Sequence, residues 1–575
     1  MEKKTSYFII VAVVASLSLF PFLGLVDFHT KGEPREAIVA YSMLESGNWI
    51  LPVNNGGDIA YKPPMFHWCI ALFSTLADRV DEYTSRLPSA VALVAIVLAG
   101  YSFYARRRGA TLALLTALVT LSNFEIHRAG MNCRVDMLLT AFIVLALYQL
   151  FKWCECGTRG FPWLAIVFMG CATLTKGPVG IILPCLVAGV YLLIRGMNFF
   201  KAFFKLLLVA VVSCVIPAVW YYAAWRQGGD GFLDLVIEEN FSRFAGKMSY
   251  ESHEEPLWYN FVTVAAGYIP YTLLALFSLF MLRYGAAKKC FTAPHWWKRF
   301  RNYIKEMDDT RLYSLLSIVL IFVFYCVPKS KRSVYLLPIY PFIAYFLAEY
   351  IVWLSKKGRK ALSAYGWTLS GLALLLTFAF GAVALGLVPE TIFHGRHAAE
   401  NVSYLLALEN MPLTIVSVIS IALAPAVAIY FMISCRGGGM KTAWCSVALA
   451  FAIFVALDGA YQPAVLNAKR DRTMASEIGA IVPSGDIYSF VSADMMRFFV
   501  INFYEGNRVK DFEKENPRNG YLLVGENDFE EFLPKHEADY DFTEVYRSRK
   551  RGCDVRQIVT LYRFNRKPQP VPIPE

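Results

Sequence analysis

The chain has 575 residues, of which 56% are hydrophobic and only 18% charged, with a mean hydropathy of +0.43. No water-soluble domain buries that much apolar surface, and apolar runs near twenty residues recur, each able to cross roughly 30 Å of hydrocarbon as a helix. The runs are too long for barrel strands, so the class is an α-helical polytopic membrane protein. Its net charge of +11 fits basic cytoplasmic loops rather than a nucleic-acid partner.

The first apolar segment, 7–26, follows Met1-Glu2-Lys3-Lys4 and has no small-residue cleavage site, so it reads as a retained anchor. Further spans are expected at roughly 88–105, 110–124, 136–152, 161–175, 178–195, 205–225 and 260–282, then at 312–328, 334–354, 362–388, 412–434 and 442–461. That makes about thirteen transmembrane helices. The apolar stretch 65–77 is read as an interfacial helix in the first outer loop, 27–87. Counting it as a span would put Arg106-Arg107-Arg108 and the basic clusters near 288–305 and 356–360 outside, against the positive-inside rule.

Residues 1–461 thus form a transmembrane domain, and an odd span count leaves 462–575 outside. This tail is polar, with β-rich stretches at 486–490, 521–524, 542–546 and 558–564 separated by Gly, Pro, Asn and acidic turns. Residues 493–504 read as one amphipathic helix. The expectation is a small C-terminal α/β domain on the outer face of the membrane. The 12 cysteines are scattered, mostly in apolar segments, and imply neither a disulfide framework nor a structural metal.

The outward loops carry charges that the positive-inside rule does not place there. The first loop holds Lys31-Gly32-Glu33-Pro34-Arg35-Glu36 and Tyr61-Lys62-Pro63-Pro64, and the next holds Arg134-Val135-Asp136. Lys176-Gly177-Pro178, Glu239 with Arg243, His253, and Lys331-Arg332 ahead of Tyr335 follow on the same face. Ionisable groups at a membrane boundary are costly unless paired or used, which suggests one polar cavity. Arg and Lys at headgroup depth would neutralise a lipid phosphate and stabilise it as a leaving group. Carboxylates among them could orient an acceptor, act as a base or hold a divalent ion. The prolines after Lys62 fix its backbone and aim it from a rigid turn. No other cofactor is indicated.

In order and spacing these motifs resemble the GT-C membrane glycosyltransferases, in the branch of aminoarabinose lipid A transferases and protein O-mannosyltransferases. The resemblance implies the GT-C fold and inverting transfer from an undecaprenyl phosphate-sugar to a periplasmic acceptor, a lipid such as lipid A or a protein, by a monomer. It implies donor-phosphate contacts for Arg35, Lys62, Arg243 and Lys331, with Lys176 and Arg332 beside them. Asp136 and His253 would lie near the reacting centre, and Tyr61, Glu239 and Tyr335 would line the cavity. The family's first-loop Asp-Glu-x-Arg reads Gly32-Glu33-Pro34-Arg35 here, and Tyr61 stands where a Glu usually precedes Lys-Pro-Pro. Either Glu33 serves as the catalytic carboxylate, or an anionic phosphate acceptor needs no base, or the chemistry is altered. The departure at Tyr61 also removes a carboxylate from any metal site. The competing readings are a transporter and a non-catalytic polyprenyl-lipid binding protein.

Overall fold

The computed structural model describes residues 2–60, 62–238, 254–282, 296–395, 397–435, 437–493 and 496–568. By packing, these divide into two compact units, one comprising Met1–Leu25, Arg86–Tyr222 and Asp234–Val465, the other Val26–Ser85, Ala223–Leu233 and Leu466–Glu575.

The first unit is helical. Among the described residues, eight helices are long and apolar enough to cross a membrane, Glu82–Arg107, Val135–Glu155 and Arg359–Ala384 being three of them. Counting each of three bent pairs as one span raises the number to eleven, against about thirteen read from the sequence, and Trp163–Lys176 and Val179–Ile194, where two of the expected spans fall, are shorter apolar helices. The bends have local causes. Ala110–Leu121 turns by 71° into Phe124–Gly130 at Asn123, whose side chain accepts from the Ile126 N–H and donates to the Val119 and Thr120 carbonyls. An Asn that caps the new helix while answering carbonyls of the old one makes the corner a defined joint. It presents Glu125, His127 and Arg128 on a single short turn. Farther along the same unit, Gly177 adopts φ +94°, a conformation open to glycine, and with Pro178 it ends Trp163–Lys176 so that Lys176 is the last helical residue.

The second unit contains a five-stranded mixed sheet and the first loop. The loop folds as helix Pro34–Ser46, a hairpin of β1 (Val53–Asn54) and β2 (Asp58–Ile59), and helix Met65–Ala77. The sheet comprises β3 (Ile487–Phe490), β4 (Val509–Asp511), β5 (Asn519–Gly525), β6 (Tyr540–Arg551) and β7 (Ile558–Arg566), in the order β4-β3-β5-β7-β6. The β3 contacts to β4 and β5 are parallel, and the β5–β7 and β7–β6 contacts antiparallel. Both faces are buried because β5 alternates: Leu523 joins Ile478, Ile487 and Leu561 on one side, while Leu522 and Val524 join Phe512, Phe532 and Phe564 on the other.

Four of these strands fall where the β-rich stretches were read. The helix expected over 493–504 is only Phe499–Tyr504. Phe498 is non-helical, and the first turn after it is fixed by the buried Asp554 carboxylate, which accepts from the Val500 N–H at 2.8 Å.

The first loop was grouped with the membrane helices in the sequence, yet it packs with the tail. Asp27 pairs with Arg470 and Arg472, both at 3.0 Å, and Tyr504 donates to Glu82 at 2.5 Å while accepting from the Phe28 N–H at 3.0 Å. Gly56 (φ +70°) lies against β4 so closely that a Cβ there would meet the Asp511 nitrogen at 2.4 Å.

Burial, with Asp471 adding to it, pushes the Asp554 carboxyl up to about 8 against the opposing pull of the Val500 N–H and Lys31, and its Oδ1 has no hydrogen-bond partner among the described residues. A folded pKa above the unfolded value near 3.8 means that the folded state binds the extra proton. Stability should therefore fall as pH rises from about 4 to about 8. Asp554→Asn should remove that slope, raising thermal stability over the parent at pH 8 more than at pH 5 by a few kcal/mol. Parallel melting curves at the two pH values would show no such divergence if the carboxyl were ionised throughout.

Candidate active site

In the second unit the first loop builds a charge cluster around Glu36. Pro34 starts the helix, its fixed φ suiting the first turn, and Glu33 precedes it as a buried residue whose carbonyl accepts from the Glu36 and Ala37 N–H groups. Glu36 faces inward. Its Oε1 accepts from Lys62 Nζ at 2.5 Å and Arg35 Nη2 at 3.3 Å, and its Oε2 lies 2.9 Å from His67 Nε2. Its side chain is 5% exposed and that of His67 1%, whereas Lys62 and Arg35 reach solvent at 29% and 42%. Burial alone would raise the Glu36 carboxyl, but Lys62, then the His67 hydrogen bond and Arg35, hold it well below the ordinary 4.5. Lys62 and His67 meet it because the two prolines set the lysine just before helix Met65–Ala77, and His67 lies on the buried face of that helix.

In the first unit, three residues singled out in the sequence come together. Asp136, in the first turn of Val135–Glu155, forms an ion pair with Lys176, and the Lys176 ammonium lies 4.5 Å from the centre of the Tyr335 ring. The Asp136 side chain is 10% exposed and that of Lys176 28%. The same unit holds Arg128 on Glu125 at 2.8 Å and a buried His127–Asp458 pair at 2.6 Å.

Lys331 behaves differently from its expected phosphate contact. It is buried, and its ammonium donates to the carbonyls of Glu255 (2.9 Å), Pro328 (2.7 Å) and Lys329 (3.3 Å). Three N–H donors meet three acceptors, so Lys331 ties the 254–255 segment, bridged to Ser330 through Glu254, to the residues at 328–331. Beside it opens a cleft of about 450 Å³ lined by Glu254, Glu255, Leu257, Val327 and Lys329. Arg332 is half-buried and starts the 3₁₀ turn Ser333–Ile339 that carries Tyr335. Tyr61, Glu239, Arg243 and His253 lie outside the described residues.

The acid on which the first-loop cations converge is therefore Glu36, three residues beyond Glu33, with His67 as a partner that the sequence did not mark. A polar signal existed, since each is an ionisable residue on the apolar face of a short helix. Among the described residues no three His, Cys, Asp or Glu side chains gather as a divalent ion would require. Glu36 and His67 come nearest, and both Glu36 oxygens are already engaged by Lys62, Arg35 and His67.

The family model described as dolichyl-phosphate-mannose-protein mannosyltransferase matches residues 61–222. An uncharacterised protein of Aquifex aeolicus is 28% identical over 396 residues, 68% of this chain and 73% of that protein. The undecaprenyl phosphate-alpha-4-amino-4-deoxy-L-arabinose arabinosyl transferase of Shewanella sediminis is 28% identical over 344 residues, 58% of each. Among solved structures, ArnT from Cupriavidus metallidurans, crystallised with undecaprenyl phosphate, superposes with a TM-score of 0.69 at 18% identity, covering 97% of this chain and 98% of that one. The chain is a polytopic membrane glycosyltransferase with the GT-C fold. Within that class it is similar to the aminoarabinose arabinosyl transferases and, over residues 61–222, to the protein mannosyltransferase family.

Proposed function

We propose that this glycosyltransferase takes a sugar from undecaprenyl phosphate and transfers it to a phosphate of lipid A, or of a like envelope glycan, on the periplasmic face of a bacterial inner membrane. In the reaction an acceptor oxygen attacks the sugar's anomeric carbon opposite the lipid phosphate. The bond from that carbon to the phosphate oxygen breaks, the electron pair leaves with the phosphate, and configuration inverts. Lys62 and Arg35 are suited to receive that developing charge, since both reach solvent while Glu36 anchors them. Relatives named for undecaprenyl phosphate donors support the donor assignment.

The observation that carries the choice of acceptor is the state of Glu36. A carboxyl held well below 4.5 is a weak base, poorly matched to taking a proton from a sugar or protein hydroxyl. An acceptor that is already an anion needs no such base. Purified protein given radiolabelled undecaprenyl phosphate-sugar should label phosphorylated lipid A and leave dephosphorylated lipid A unlabelled. Equal labelling of the two would remove the phosphate acceptor. Movement of the donor across vesicles without a new glycosidic bond would instead indicate a transporter, and saturable binding without turnover a lipid-binding protein.

A further inference from the structure

The helix that begins with Asp136 ends at a second cationic site. Along Val135–Glu155, Lys152 lies about 24 Å from Asp136 at 1.5 Å per residue, toward the opposite end of the span. There the last turns of Glu82–Arg107 and Val135–Glu155 enclose a cavity of about 190 Å³ whose polar lining comprises Ser102, Arg106, Arg107, Tyr148, Gln149 and Lys152.

The charges in this cavity do not balance. Arg107 is fixed by a two-point pair with Glu155 and lies 4.3 Å from the centre of the Phe103 ring. Arg106 is exposed and Lys152 half-buried, and neither has a carboxylate within ion-pair distance among the described residues. Among the described residues the Lys152 ammonium donates only to the side-chain oxygen of Gln149, at 3.2 Å. Three cations therefore stand around one carboxylate. Tyr148, 2% exposed, lines the cavity, and its buried hydroxyl has no hydrogen-bond partner among the described residues. Its ring is fixed by stacking on Phe103 at 4.4 Å. A buried hydroxyl without a partner costs about 1–3 kcal/mol, and neighbouring like charges repel, so an entering anion would answer both.

We propose that this cavity binds a phosphate group, either that of an anionic phospholipid headgroup or a free phosphate, between Arg106, Lys152 and the Tyr148 hydroxyl. Basic pockets between helix ends at a membrane surface suit such headgroups. The site is separate from the candidate active site, since the same helix carries the two at opposite ends.

The test uses the full-length protein in detergent micelles with phosphatidylglycerol and phosphatidylcholine in equal amounts, and counts retained lipids by native mass spectrometry. The parent should keep phosphatidylglycerol preferentially. Arg106→Gln/Lys152→Gln should weaken that retention about tenfold, Tyr148→Phe should weaken it less, and the charge-conserving Lys152→Arg should keep it. Melting temperatures equal to the parent's show that the variants are folded. Phosphatidylglycerol that excess inorganic phosphate fails to displace identifies the lipid headgroup as the ligand, and displacement by inorganic phosphate identifies the free ion. Equal phosphatidylglycerol retention by the parent and the double variant, with no inorganic phosphate bound, would overturn the proposal and leave the cations as complements to the two helix dipoles.

Discussion

Glu36→Gln should lower sugar transfer by about 10²-fold, with a smaller loss for Glu33→Gln. The reason is geometric. Glu36 is the one acid to which Lys62, Arg35 and His67 all bond, and a neutral amide can satisfy only part of that set while supplying none of its charge. Lys62 and Arg35 would relax into solvent, which their exposure allows, and a shift of about 1 Å in a phosphate-binding cation is enough for a loss of that size. His67 is buried and would lose its charged acceptor, so a stability loss of about 1–3 kcal/mol should accompany the kinetic one. A steady-state transfer assay with a melting curve on each variant separates the two effects. Full activity in Glu36→Gln beside a dead Glu33→Gln would return the central role to Glu33.

The same cluster makes a pH prediction. Because the folded Glu36 pKa lies below the unfolded value, its contribution to stability is present above about 4.5 and is lost as pH falls through the folded pKa. Lys62→Met removes the largest charge that lowers it, so the loss should begin at higher pH than in the parent. Acid-unfolding curves of the two proteins would show the shift, and coincident curves would mean that Lys62 does not hold the carboxyl down.

What could be read from the sequence follows from the range of the forces involved. Spans are local: an apolar run long enough to cross a bilayer declares itself without reference to the rest of the chain. The β5 and β7 strands declare themselves locally too, as β-rich stretches between turn residues. Asp136, Lys176 and Tyr335 were legible because each places a polar group at the edge of an apolar run, although their meeting in space was not. Glu36 and His67 are 31 positions apart and look like ordinary residues of short helices until tertiary folding puts them 2.9 Å from one another. The packing of the first loop on the tail is further from view, since it depends on Asp27 reaching Arg470 across 443 positions. The bends were missed for the opposite reason: at 110–124 hydropathy continues through a corner that one Asn side chain creates.

The pair Asp136 and Lys176 gives the second large effect and a way to separate structure from chemistry. Asp136→Asn takes the counter-ion from the Lys176 ammonium, 28% exposed, beside Tyr335, and Lys176→Met takes the ammonium from the less exposed Asp136 carboxylate at the start of a span. Breaking a mostly buried pair from one side costs about 3–5 kcal/mol, reduced here by the partial exposure of the lysine, whereas removing both charges is often near neutral. Each single variant should therefore melt below the parent, Lys176→Met the lower of the two, and Asp136→Asn/Lys176→Met should recover most of the loss. If the pair serves only the fold, transfer recovers with stability in the double variant. If Lys176 helps to neutralise the leaving phosphate, the double variant regains its melting temperature and stays about 10²-fold down in kcat, because the charge that stabilised the transition state is still absent. The second outcome is expected. Lys176 is the end residue of its helix, poised on an aromatic face and held by a single carboxylate, so a competing phosphate could draw it away without breaking the helix that carries it.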